Sequence, residues 1–254
     1  MIAESKFRSL RRFNIFMACL HFVSGLLMVI LSTDLKVPVT ASFLKFDALT
    51  QTLYPKLSTL FELRLGYLVA FFLFLSAIAH LMISLPRINA WYNANIAKGI
   101  NPARWIEYAL SSSVMIVVIS LLVGISDIAT LIGFFFLNAC MIFFGWMMEL
   151  HNQKTEKTDW TSYIFGCIAG IGPWIGIAIY LAAPGSADKA PTFVYWIFFS
   201  IFIFFNIFAI NQVLQYKKVG KWSDYLYGER AYIILSLVAK SLLAWQVFAG
   251  TLRP

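Results

Sequence analysis

Two residues fix where chemistry is possible in this chain. Lys240 stands in the middle of "LSLVAKSLLAW", and Glu107 lies in "NPARWIEYALSSSVM", both inside runs otherwise suited to hydrocarbon. An ammonium about ten residues from either end of a helix sits roughly 15 Å from each interface, farther than its stem can carry it. Left unpaired at mid-bilayer it costs at least about 2.5–3.5 kcal/mol, so it needs a partner or a covalent fate. Glu107, about two turns from a helix start near Asn101, is the partner the depth count offers. Side chains lean toward their helix N-terminus. If both helices begin on the same side, the Lys240 stem leans toward Glu107. Ser236, four residues before Lys240, shares its face, and Ser111 and Ser112 extend the polar stripe beyond Glu107.

His21 and His80 fall at a similar depth, as hydrogen-bonded core residues or as the proton-accepting part of a polar cavity. A zinc site would need three or four convergent ligands. Only His21, His80 and Glu107 are candidates, so a metal-dependent hydrolase is a minor alternative, and no enzyme is expected. Rings surround Lys240: "VYWIFFSIFIFF", Trp174 beside Pro173, Trp245 and Tyr108. Most aromatics in membrane spans are packing or interface residues. A lysine facing a ring-lined slot with one balancing carboxylate nevertheless suits a Schiff base to an aldehyde chromophore. A purely structural ion pair, or a chromophore-free carrier built on it, is the alternative.

The elements that must position these residues follow from composition. Of 254 residues, 60% are hydrophobic and 13% charged, with a mean hydropathy of +0.77, which marks an all-α membrane protein. The ten-residue alternation of a spanning β-barrel is absent. Seven spans are expected near 13–33, 62–85, 102–125, 128–149, 161–183, 192–215 and 230–250, in one domain over 1–254 without repeats. Cys19, Cys140 and Cys167 lie within apolar runs and read as buried small hydrophobes. The first span reads as retained, a cleaved signal peptide being the weaker option. Thirteen of the 20 Lys and Arg, among them Arg104, fall in the connections on the N-terminal side and six, including Lys189 and Arg253, on the other. The excess predicts a cytoplasmic N-terminus and an outer C-terminus. It makes the net charge of +8 a topology and lipid signal, with no nucleic acid partner. In the one long connection, 34–61, "VPVTASFLKF" has strand character, so an outer β-hairpin and an irregular loop are both open.

Four strings, "RWIEYALSSSVMIVVI", "FGCIAGIGPWIG", "YKKVGKWSDYLYGERAYI" and "LSLVAKSLLAWQ", give the chain its resemblance to the heliorhodopsins, microbial rhodopsins of inverted topology. The resemblance covers essentially the whole chain and agrees with the orientation read from loop charges. It implies a seven-helix rhodopsin-like bundle in the cell membrane holding all-trans-retinal on Lys240, with Glu107 as single counterion. His21 and His80 match the family's histidines near a cytoplasmic polar cavity. Ser236 is implied beside the Schiff base, Met115 and Trp245 against the chromophore, and Pro173 and Trp174 by its ring end. Asn138 and Gln212 are implied in the pocket or its polar surroundings, with Ser112 and Tyr108 also in the pocket. A homodimer is implied, and a light sensor would need a cytoplasmic signalling partner. Proton pumps of the wider superfamily have a second carboxylate eleven residues after the third-helix counterion and an aspartate four before the lysine. Val118 and Ser236 occupy those positions here. The expected function is therefore a light sensor with a long-lived photocycle and no efficient pumping, the alternative being a light-gated or light-driven proton or ion transporter.

Overall fold

A computed structural model describes residues 4–182 and 190–252. Seven of its helices are long and apolar enough to cross a membrane: α1 (Glu4–Leu31), α2 (Leu65–Ser84), α4 (Pro102–Leu122), α5 (Ile128–His151), α6 (Thr161–Ala182), α7 (Thr192–Tyr216) and α8 (Tyr225–Val247), the last continued by a π turn. A short eighth helix, α3 (Pro86–Ile96), follows α2. It was not expected from "LPRIN", which reads as a boundary. Pro86 instead sits in the first turn of the new helix, where a missing N–H costs nothing. Lys189 and Arg253 of the charge count lie outside the described residues.

Helix starts follow capping chemistry. The Asn101 side chain accepts from the Arg104 backbone N–H at the head of α4, with Pro102 next to it. Asp127 and Asp224 cap α5 and α8 in the same way, each satisfying an orphan donor. The Asp224 cap starts α8 at Tyr225, five residues earlier than the expected 230. Likewise α1 starts at Glu4 rather than 13. Its basic first turns lie beside the α7–α8 connection and the start of α8, through Lys6–Asp224 at 3.0 Å and Arg230 donating to Ser9 at 2.9 Å.

The long connection is a β-hairpin, β1 (Lys36–Asp47) paired antiparallel with β2 (Thr52–Arg64), with a register shift at Val39/Thr40. Its turn is an Asx turn, Asp47 Oδ1 accepting from the backbone N–H of Leu49 at 2.9 Å. Val39, Thr40 and Ala41 of β1 are buried and dock on the α4–α5 loop, where the Thr40 N–H donates to the Ser126 carbonyl at 2.8 Å. The hairpin therefore lies at the end of the bundle opposite the N-terminus.

Helix α4 is the most buried of the seven spans. It packs on α2 and α5, while α8 packs on α7, α1 and α2, so α4 and α8 can face each other across the interior. Outward faces carry Ile30, Phe71, Ile168, Trp196 and similar residues, as expected where lipid is the solvent. The three cysteines are free and exposed on helix faces, which corrects the expectation of burial: a small apolar side chain has no need of the interior when the surroundings are hydrocarbon.

Candidate functional site

The site grows from one face of α4 and one of α8. Arg104, Glu107 and Ser111 recur at the spacing of one α4 face, and Glu229, Ile233, Ser236 and Lys240 at that of one α8 face. Both helices begin at the N-terminal end of the bundle, so the Lys240 stem leans back toward Glu107. Lys240 Nζ donates to Glu107 Oε1 at 2.8 Å and to Ser236 Oγ at 2.8 Å. Ser76 of α2 donates to the same Glu107 oxygen at 2.6 Å. Lys240 is 3% exposed. A buried pair of this kind is only marginally favourable unless its remaining valences are met, and the two serines meet them. The ammonium also lies 5.1 Å from the Tyr108 ring centre, within cation–π range.

The Lys240–Glu107 pair stands between two cavities, Lys240 lining the larger and Glu107 the smaller. The larger offers about 110 Å³ to the centre of a water-sized sphere and is mostly apolar. One water needs roughly 10–15 Å³ by that measure, so this space is far larger than a single buried water requires. Of the residues singled out from sequence, Tyr108, Ser112, Met115, Gln212, Ser236 and Lys240 line it. Asn138 sits just behind, donating to Ser112 Oγ at 2.7 Å and Ser113 Oγ at 3.0 Å. Trp174 is buried edge-on to Phe198, Phe202 and Phe205, and reaches the cavity only through Phe205, which lines it. Pro173 is buried next to it in α6. Trp245 is not brought to the cavity: it is 37% exposed and packs edge-on against Phe248. It follows Lys240 by five positions, too far round the helix to share the lysine's face. Trp105, Tyr163, Phe205, Phe208 and Tyr232 complete much of the aromatic wall. An amine at the end of such a cavity, with one carboxylate to balance it, fits a group with an aldehyde terminus and a long apolar body.

The smaller cavity gathers the polar groups, Asn14, His80, Asn101, Arg104, Glu107 and Glu229, beside apolar Ile83 and Ile233. His80 Nδ1 lies 2.8 Å from Asn14 Oδ1, and the His80 ring stacks on His21 with centroids 5.7 Å apart. His21 is fully buried with neither ring nitrogen hydrogen-bonded. The two histidines thus meet on the Glu107 side, although only His80 lines this cavity. Among the described residues no three His, Cys, Asp or Glu side chains gather as a metal site.

Sequence reasoning missed the group below this cavity. Arg104, counted as a loop charge, is a buried residue of α4 that pairs with both Glu149 and Glu229. The bias of loop charges survives its removal. The available signals were the spacing of Arg104 to Glu107 and of Glu229 to Lys240, hidden because the last span was started after Glu229.

Fold and site together define a seven-helix membrane protein of the rhodopsin type, with a lysine–carboxylate pair buried at the last helix. The structure of a light-driven proton pump, LR (Mac), from Leptosphaeria maculans matches this fold with a TM-score of 0.65 over 98% of this chain and 97% of that one, at 14% sequence identity. That likeness is one of fold. Residues 10–252 match the Heliorhodopsin family model, and the chain belongs to the heliorhodopsin family, a group of retinal photoreceptor-type membrane proteins. No curated protein matches the sequence.

Proposed function

We propose that this protein is a light sensor in which Lys240 Nζ holds all-trans-retinal as an imine, Glu107 is its sole counterion, and no ion is efficiently pumped. The observation that carries this reading is the buried Lys240–Glu107 pair at 2.8 Å, whose lysine lines the aromatic cavity. Bound retinal supplies light absorption and a double-bond isomerisation; the remaining chemistry belongs to the chain. Tyr108, Met115, Phe205 and Phe208 hold the apolar body and exclude water. Ser236 and Glu107 orient the nitrogen, and Ser76 fixes the carboxylate that balances its charge. A proton leaving that nitrogen has the polar cavity beside His80 and Asn14 as its nearest polar space.

The sensor reading draws on two positions. Val118 is fully buried and carries no proton, and Ser236 is bound to Lys240, so neither supplies the internal carboxylate of a pump. We further propose a cytoplasmic N-terminus, from the loop charges, a homodimer, and a cytoplasmic partner that reads the light-driven change. The transporter reading is favoured by one observation, the polar cavity extending from Glu107 toward the N-terminal end.

Expression with all-trans-retinal tests the first claim: the wild type becomes coloured and Lys240→Ala does not. A colourless wild type, or a coloured alanine variant, removes Lys240 from the role. Light-dependent current under voltage clamp would overturn the pure sensor in favour of transport.

A further inference from the structure

The chromophore reading leaves the Arg104 group unused. Arg104 Nη2 donates to Glu149 Oε1 at 2.5 Å, and Nη1 donates to Glu229 Oε2. Trp105 Nε1 at 2.5 Å, the Asn101 backbone N–H at 3.0 Å and the Tyr225 hydroxyl at 3.0 Å donate to Glu149. Asn101 Nδ2 at 2.6 Å and the Tyr92 hydroxyl at 3.3 Å donate to Glu229. Every partner of the two carboxylates is a donor, the pattern of ionised rather than protonated acids. Burial, with Glu229 second, pushes the Tyr92 phenol of α3 well above its ordinary value, so it too remains a donor. Two carboxylates and one guanidinium leave a net charge of −1 in a buried site.

This group faces the site. Glu229 and Lys240 share one side of α8, about three turns apart, and Arg104 precedes Glu107 by about one turn of α4. The smaller cavity, which both layers line, separates them. Arg104 lines it with its Nε buried and without a hydrogen-bond partner.

We propose that Arg104, Glu149 and Glu229 form a second, outer negative pole that acts on Lys240 Nζ across this cavity through their net charge. They are positioning residues, acting through the field they set at the nitrogen. The titratable groups facing the pole are His80 of α2, Tyr92 of α3, Glu107 and Tyr108 of α4, Tyr216 of α7, and Tyr225 and Tyr232 of α8, and His21 of α1 faces the nitrogen. The field at the free amine needs no chromophore; only the pigment arm of the test rests on the retinal reading. At an effective dielectric of about 20 and a separation of about 12 Å, one unit of charge moves the nitrogen's midpoint by about one pH unit.

The experiment counts charge. The full chain is titrated in nanodiscs, retinal-free by the ¹⁵N signal of Lys240 (the resonance lost in Lys240→Arg) and retinal-loaded by the visible spectrum. Glu229→Gln takes the pole to zero and lowers the midpoint by about one unit. Arg104→Gln takes it to −2 and raises the midpoint by a similar amount. The double variant Arg104→Gln/Glu149→Gln restores −1 and titrates as the wild type. If Arg104→Gln does not fold, Glu149→Gln, also net zero, has to lower the midpoint as Glu229→Gln does. Shifts of one sign in all variants, or none, mean a structural cluster and overturn the proposal. A charge-ordered retinal-free series without pigment keeps the pole and sinks the retinal reading; pigment with charge-independent midpoints does the reverse.

Discussion

Replacing Glu107 by glutamine isolates the counterion charge while keeping the shape of the side chain. Lys240 Nζ is 2.8 Å from Glu107 Oε1. At an effective dielectric of about 20, unit charges at that distance attract by about 6 kcal/mol. The glutamine oxygen still accepts from the nitrogen, and a hydrogen bond to a charged group returns about 2 kcal/mol. The remainder, about 4 kcal/mol, corresponds to about three pH units off the nitrogen's midpoint. The sign is that of a cation losing its partner: the deprotonated form gains, so the visible band gives way to a near-ultraviolet band at lower pH than in the wild type. Spectrophotometric titration of the retinal-loaded protein from acid to alkali measures this, with Glu107→Asp as the variant that keeps the charge. A shift below about one unit with an unmoved absorption maximum would refute Glu107 as counterion, because no other carboxylate contacts Lys240 among the described residues.

His80→Ala alters photocycle kinetics with little change in the dark spectrum, since His80 lines the polar cavity and bonds to Asn14 rather than Lys240; flash spectroscopy checks it, and a displaced dark maximum with unchanged kinetics would contradict it. His21→Leu costs less stability than His80→Leu in thermal unfolding, because no hydrogen bond of His21 is lost whereas His80→Leu leaves buried Asn14 short of a partner, worth about 1–3 kcal/mol. Gly145→Ala destabilises by about 1–3 kcal/mol, since the added Cβ would meet the Trp105 ring at 2.6 Å, and equal melting temperatures would show that the ring can yield. Asp159, in the α5–α6 connection, has its carboxyl held below its ordinary value first by the Thr161 side chain, then by its backbone N–H and by His151. Its contribution is therefore full above the unfolded value and lost as pH falls through the depressed folded one. A carboxyl ¹³C midpoint at or above 3.8 would contradict that.

Legibility in the sequence followed what each residue must solve locally. Lys240 and Glu107 could be paired without coordinates because an isolated charge at mid-bilayer has few remedies, and depth along a helix is counted from its ends. Ser236 followed from the helical period. Boundaries were read less well where charge was taken as the end of a span. Asp224 is the cap that begins α8, and Glu229 and Arg104 are carried into the bundle because they neutralise one another. A hydropathy reading penalises each of them separately, although burial of the pair costs far less than burial of either alone. The hairpin's existence was half legible from β-branching in "VPVTASFLKF". Its docking on Ser126, through the Thr40 backbone N–H and the two hydroxyls, was not, because partners so far apart in the chain leave no local pattern. Trp245 was placed by family likeness, and its exposure shows how little position alone says about which way a ring on a lipid-facing helix will point.

On the proposed sensor reading, the two layers of charge bear on how a proton leaving Lys240 is kept from crossing the membrane. On the hairpin side of the pair, α4 presents Met115, Val118 and Ile119, all buried and apolar. On the N-terminal side lie His80, Asn14 and then the Arg104 group. A proton moving down the potential is drawn toward Glu107 and the outer pole. Beyond the polar cavity, however, it meets a guanidinium fixed by two carboxylates, with Trp105, Tyr92 and Tyr225 closing around them. Apart from Arg104 Nε, which has no partner, the donors there are committed to a carboxylate, so onward transfer past them requires breaking a bond to a buried charge, each worth about 1.5–3 kcal/mol. The same arrangement that attracts the proton also retains it. On the proposed sensor reading, return to the nitrogen is then the route that breaks least.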